Sequence, residues 1–283
     1  MTSAMSFPRV SDLKETFMKT MIYQYWSGVR PEYSYASEVL FRDYAKAVGA
    51  DYFFADDVYP LRAMHKRYFG ALRPILDPSF HEYDAVLFVD MDVIPKAAPV
   101  ANIFDELSGD IMLTEEPKQP VLREDMKGNI NGRNDQRWAR ISEELWRTKV
   151  ARDDVNRPKV FNSGVVLYSQ EGLRVLKRVL PPVLAYQVSM RLAGLPRFYR
   201  LDQNYLNTFI GKKGVDFRTL DGRWNAQITM VQTSDGTPCL IDERDERSQF
   251  FHLQHGPTKP DMTREEAASV AVGAFDFSQA SET

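Results

Sequence analysis

The sequence predicts an α/β chain with one buried central sheet, and three observations carry that expectation. Ala85-Val86-Leu87-Phe88-Val89 is an apolar run with no polar alternation, the mark of a strand covered on both faces. Residues 21–26, 34–48 and 51–55 read as strand, helix and strand. After a long polar stretch, residues 161–168 return to strand and are followed by helices. With 283 residues, 43% of them hydrophobic, the chain can bury a sizeable core.

The elements follow in order from local chemistry. The first strand stops at Ser27-Gly28, and helix 34–48 has Ser34 as its N-cap and Gly49 as its left-handed stop. Over residues 60–76, Leu61, Met64, Tyr68, Leu72 and Ile75 recur at helical spacing, which predicts a helix that Pro74 kinks or ends. Arg62, Lys66 and Arg73 line one flank of that helix, either as a solvated face or as cations reaching an anionic group held beyond the next strand. A strand at 110–114 ends at Glu115-Glu116-Pro117, and the periodicity then dissolves. Residues 118–159 are densely polar, with Trp138 and Trp146 inside an expected helix at 136–149; such an insertion serves as a lid, as a second-substrate surface or as a solvated excursion. In Phe161-Asn162-Ser163-Gly164 a turn-like composition opens the next strand, where Gly164 permits a close backbone approach to a ligand or shapes a bend. Ser169 caps a helix ending at Pro181-Pro182, another helix runs to Gly194, and Asp202 N-caps a short one closed by Gly211. Thr263 and Glu266 form a capping box for a last helix before the tail.

Composition narrows the function classes. A net charge of −3 gives no reason to expect nucleic acid as the main partner. The single cysteine, Cys239, excludes an intramolecular disulfide framework and a cysteine-built zinc site. The sequence has no run of eighteen apolar residues and no signal-peptide core near its start, so cytoplasmic residence with no transmembrane segment is the expectation.

Chemistry concentrates where the 85–89 strand ends, in Asp90-Met91-Asp92. Ligands of open α/β sheets gather beyond the carboxyl ends of strands, and two carboxylates two residues apart share a side if the backbone stays extended. Such oxygens suit Mg²⁺ or Mn²⁺, and clustered carboxylates are costly without a cation. Late in the chain, Phe250-Phe251-His252-Leu253-Gln254-His255-Gly256-Pro257-Thr258-Lys259-Pro260 reads as an apolar strand leading into a turn that offers an imidazole to a metal and an ammonium to a diphosphate.

The ordered series Asp90-Met-Asp92, Phe161-Asn162-Ser163-Gly164, Asp202-Gln203 with Asn207, Arg223-Trp224-Asn225, and His252 with Gly256 to Pro260 resembles the GT-A glycosyltransferases, most closely family 8. The likeness spans residues 21–260, which defines an expected catalytic domain of 1–260 with 118–159 as a lid or acceptor insertion and 261–283 as a C-terminal helix and tail. It implies a Rossmann-like mixed sheet flanked by helices and a Mn²⁺-dependent (or Mg²⁺-dependent) retaining transfer from a sugar nucleotide, usually a UDP-sugar, to a glycan or other hydroxyl acceptor. By the resemblance Asp90 and Asp92 bind metal, Asn162 and Gly164 approach the donor, Asp202 and Gln203 line the reacting sugar, and Gly256 and Lys259 hold the diphosphate. His252 is the favoured third ligand, His255 the alternative, and Lys66 a candidate phosphate contact. Glu115 or Glu116 stays open as a base for an inverting route. Two other readings are a haloacid-dehalogenase-type phosphatase with Asp90 as nucleophile and a non-catalytic sugar-nucleotide binding protein.

Overall fold

A computed structural model describes residues 18–98, 101–125, 128–232, 237–254 and 262–275. The chain runs β1 (Thr20–Tyr25), α1 (Glu32–Val48), β2 (Asp51–Ala55), α2 (Arg73–Leu76), β3 (Ala85–Val89), β4 (Val93–Pro95), β5 (Ile111–Glu115), α3 (Gln119–Asp125) and α4 (Gly132–Trp146). It continues through β6 (Phe161–Ser169), α5 (Gln170–Val179), α6 (Val183–Leu192), α7 (Asp202–Phe209), β7 (Phe217–Leu220), β8 (Ala226–Gln232), β9 (Pro238–Asp242), β10 (Phe250–Leu253) and α8 (Arg264–Ala271). Six strands form a central sheet in the order β2-β1-β3-β6-β5-β7, and four form a smaller one in the order β4-β10-β8-β9. The expected α/β class with a mixed central sheet flanked by helices is present.

β6 is antiparallel to both neighbours, whereas β2, β1 and β3 run parallel to one another and β7 runs parallel to β5. The amino end of β6 therefore lies at the same edge as the carboxyl ends of β3 and β5. That reversal brings Asn162 to the edge where Asp90 and Glu116 leave their strands.

Strand residues alternate between two apolar layers, as a sheet buried on both sides requires. Tyr23, Val86, Phe88, Ile111, Leu113, Val166 and Tyr168 pack with residues of α2 and α4 to α7. Ile22, Leu87, Val89, Met112, Val165 and Leu167 face Phe41 and Tyr44 of α1, together with Trp224 and Phe250. A third cluster joins α1, β4, β8 and β10 to Ala267, Val270 and Ala271 of α8. The α8 capping box forms as expected, Thr263 Oγ1 accepting from the Glu266 N–H and Glu266 accepting from the Thr263 N–H. No helix among the described residues is long and apolar enough to cross a membrane.

Four expectations change. Residues 60–76 do not form one helix: His65 is left-handed at φ 55°, two 3-10 turns follow, and only Arg73–Leu76 is α-helical, with Pro74 in its first turn. Gly70 lets this segment pass close to β1, where a Cβ would collide with the Tyr25 ring. Arg73 consequently pairs with Asp57 and Asp77, and Lys66 sits exposed on a 3-10 turn. The cap of α1 is Pro31, and the buried Ser34 hydroxyl instead donates to the Pro31 carbonyl. The cap of α7 is Leu201, which leaves Asp202 as its first helical residue. In the polar 118–159 segment, Trp138, Ala139 and Ile141 of α4 enter the core and Arg123 forms a buried ion pair with Asp135 at 3.0 Å. The helix expected in this segment is present as α4, over Gly132–Trp146.

Candidate metal centre

The turn after β3 is held at four points. The Asp90 N–H donates to the Gly164 carbonyl at 2.8 Å, the Val93 N–H to the Asp90 carbonyl at 3.2 Å, and the Leu253 N–H to the Asp92 carbonyl at 2.9 Å. Ser37 Oγ donates to the Val93 carbonyl at 2.6 Å. Residues 90–92 thus turn instead of staying extended, so Asp90 and Asp92 come together through the turn and not through strand alternation.

β10 delivers the third group. Its antiparallel register places His252 opposite Val93, next to the turn. The ligand atoms of Asp90, Asp92 and His252 all lie within 4.8 Å of one another, and His252 Nε2 is 3.3 Å from Asp92 Oδ1. This is the expected trio. His255, Gly256 and Lys259 lie outside the described residues.

The electrostatics of the cluster call for a cation. Asp90 is pushed well above the usual carboxylate range, first by burial and then by the charges of Asp92 and Asp202. Burial also raises Asp202 to about 7, against the opposing pull of the Gln203 and Asp202 N–H groups. Asp90 and Asp92 with the His252 imidazole beside them match the donor set of a divalent ion that accepts both oxygen and nitrogen.

Behind the imidazole lies a buried polar chain. His252 Nδ1 is 2.9 Å from Asn225 Oδ1, Asn225 Nδ2 donates to Asn162 Oδ1 at 3.0 Å, and Asn162 Nδ2 donates to Glu116 Oε1 at 2.7 Å. Asn162 Oδ1 also accepts the Gly164 N–H at 2.7 Å, and Gln254 Nε2 reaches Glu116 Oε1 at 3.1 Å. A register irregularity of β6 against β5, between Leu113 and Thr114, leaves residues 163–165 without partners on β5. What approaches Gly164 is the His252 ring: a Cβ at 164 would overlap Cε1 and stand 2.9 Å from both His252 Nδ1 and Asn162 Oδ1.

Among the other expected site residues, Asp202 joins the cluster electrostatically with Gln203 beside it at the start of α7. Asn207 clamps the start of β6, its Oδ1 accepting from the Phe161 N–H and its Nδ2 donating to the Phe161 carbonyl. Glu115 pairs with Lys159. Sequence reasoning assigned Asn225, Glu116 and Gln254 no part beside His252. Their contacts span 27 to 138 positions of chain, so no local spacing could signal them.

A cavity of about 400 Å³ opens between α3 and α4, lined by residues including Arg123, Glu124, Asn131, Asp135, Gln136 and Arg157. Arg123, Asp135 and Pro158 also border a smaller recess that reaches Gln203, Asn204 and Asn207.

No protein-family model matches the chain, and no curated protein matches it. Among solved structures it is similar to mouse xyloside xylosyltransferase 1 in its apo form, with a TM-score of 0.49 and 16% identity over 83% of this chain and 97% of that one. It is also similar to a glycosyltransferase involved in the glycosylation of the major capsid of PBCV-1, with a TM-score of 0.47 and 12% identity over 89% and 98% of the two chains. A third is the galactosyltransferase LgtC in complex with donor and acceptor sugar analogues, with a TM-score of 0.46 and 14% identity over 89% and 95%.

Proposed function

We propose that this protein is a metal-dependent glycosyltransferase of GT-A type, similar to family 8, moving a hexose from a UDP-sugar or another nucleoside-diphosphate sugar to a hydroxyl of a glycan or other acceptor. The observation that carries the reading is the convergence of Asp90, Asp92 and His252 at the carboxyl edge of the central sheet, with Asp202 close enough to perturb Asp90. These three residues would hold the ion, and an imidazole among carboxylates favours Mn²⁺ over Mg²⁺. Bound there, it would supply positive charge opposite a departing diphosphate.

The chain's own residues account for the rest. Asp202, close enough to perturb Asp90, and Gln203, which offers both a donor and an acceptor, are assigned to the reacting sugar. Gly256 and Lys259 are assigned to the diphosphate, which a lysine contacts as a point charge. Asn162 has its amide engaged by Glu116, Gly164 and Asn225, so its task is to support His252. Glu116 is buried and bonded to Asn162 and Gln254, and Glu115 is paired with Lys159; neither is placed as a base for an inverting attack, which favours retention. The cavity between α3 and α4 is assigned to the acceptor, because its inner recess leads to Gln203.

Incubation with a panel of nucleotide sugars and Mn²⁺ tests this through release of nucleoside diphosphate. Release from one donor that EDTA stops is the expected result. Trapping of an aspartyl-phosphate at Asp90 would replace the reading with phosphatase chemistry, and donor binding without turnover would replace it with a sugar-nucleotide binding protein.

A further inference from the structure

We infer that Glu116, Asn162 and Asn225 are positioning residues that set which nitrogen of His252 carries its proton, leaving Nε2 bare toward Asp90 and Asp92. The purpose of the relay rests on the metal reading above; its geometry does not.

The backbone N–H of Gly164 can only donate. It points at one atom of the Asn162 amide, 2.7 Å away, so that atom must be the oxygen. The other atom is then the amide nitrogen, and it faces a carboxylate oxygen of Glu116 at 2.7 Å, where a donor is wanted. The Asn162 amide is fixed from both ends. Its oxygen also meets the Asn225 side chain at 3.0 Å, which must therefore present its nitrogen there. Asn225 Oδ1 is left facing His252 Nδ1 at 2.9 Å, and an acceptor at that position requires Nδ1–H.

In the neutral ring, Nε2 then holds a lone pair and lies 3.3 Å from Asp92 Oδ1. Lone pairs of nitrogen and carboxylate oxygen crowded together repel unless a cation lies among them. Reversing Asn225 would set its oxygen against that of Asn162 with no hydrogen between, and reversing Asn162 would set its NH₂ against the Gly164 N–H. Each link is thus locked by the one before it. Water cannot substitute readily, because Glu116, Asn162, Asn225 and His252 are all at most 4% exposed. Gln254, just past the end of β10, closes the circuit by donating to Glu116. Gly164 leaves the space the ring occupies.

The test reads the tautomer directly, with no metal and no turnover. Histidine ring ¹⁵N spectra of the full-length metal-free protein are recorded above the histidine titration range, the His252 signals being assigned by their loss in His252→Gln. Free imidazole side chains prefer Nε2–H in water, so a wild-type His252 carrying Nδ1–H is the discriminating result expected. Asn162→Leu, which removes no hydrogen bond of His252 itself, should move the ring toward Nε2–H and weaken Mn²⁺ binding by about 10- to 100-fold. Asn225→Asp, which keeps an oxygen at Nδ1, should retain Nδ1–H. Wild-type His252 found as Nε2–H overturns the relay, as does a folded Asn162→Leu protein with its tautomer unchanged. Nδ1–H in a wild-type protein that binds no Mn²⁺ supports the relay and rejects the metal reading, so the two failures are distinguishable.

Discussion

Replacing Gly164 with alanine adds one methyl group at the point where β6, Asn162 and His252 meet. The new Cβ overlaps His252 Cε1 and lies 2.9 Å from both His252 Nδ1 and Asn162 Oδ1, inside ordinary contact for each. Neither neighbour can yield cheaply, since His252 and Asn162 are 4% and 2% exposed and both are hydrogen-bonded. Overpacking of this kind costs about 1–3 kcal/mol. If the imidazole swings away, loss of its bond to Asn225 adds about 1 kcal/mol. Urea denaturation of the metal-free protein should therefore show destabilisation of about 2–4 kcal/mol, with weaker Mn²⁺ binding by calorimetry. A double-mutant cycle isolates the cause. In a His252→Ala background the ring is gone, so the same glycine replacement should cost at least about 1 kcal/mol less, the residue of its cost coming from Asn162. Equal cost in both backgrounds, within about 0.5 kcal/mol, would refute the claim that Gly164 is there to admit the imidazole.

Other expectations concern the same edge and the core behind it. Asp90→Ala and Asp92→Ala should each abolish Mn²⁺-dependent turnover while circular dichroism stays native; full activity of Asp92→Ala in excess EDTA would contradict the ligand assignment. Asp202 is raised from 3.8 to about 7, so its stabilising share is complete below pH 3.8 and is lost as pH rises through 7. The Tm of the metal-free protein should accordingly fall between about pH 4 and pH 7, a slope that Asp202→Asn should reduce; an identical slope in the variant would rule Asp202 out as its source. Asp135→Ala strips Arg123 of its buried carboxylate partner and should cost about 3–5 kcal/mol in chemical denaturation, and a cost below about 1 kcal/mol would mean that the pair is exposed in solution. Gln136→Ala, on the cavity between α3 and α4, should lower transfer to acceptor more than donor hydrolysis, and equal loss of both would remove that cavity from the acceptor path.

The buried strand β3 was legible because an unbroken apolar run of that length suits a strand covered on both faces, and the α8 capping box because its two residues lie within one turn. Asp90, Asp92 and His252 were legible as residue types, the two carboxylates just after β3 and the imidazole within β10, whose register against β4 then brought them together. Residues 60–76 misled because helical periodicity is blind to the tertiary collision with Tyr25 that Gly70 avoids and to the left-handed His65. The 118–159 segment misled in the opposite direction: an amphipathic helix with a heavily charged outer face lowers the average hydrophobicity of a stretch whose Trp138 and Ile141 are nevertheless core. Asn162 and Gly164 were singled out for contact with a donor, but their hydrogen bonds and spacing tie them to His252, through an Asn225 that nothing local in the sequence links to either. Such a relay exists only once an antiparallel β6 has brought its amino end beside the carboxyl end of β3.

The most direct test of metal-dependent transfer is release of nucleoside diphosphate from a nucleotide-sugar panel by the wild-type protein and by Asp92→Ala, each with Mn²⁺ and with EDTA. Release from at least one donor by the wild-type protein with Mn²⁺, and from none in the other three conditions, is the predicted result. Turnover that persists in EDTA, or in Asp92→Ala, would contradict a reaction that depends on a cation held by Asp90, Asp92 and His252.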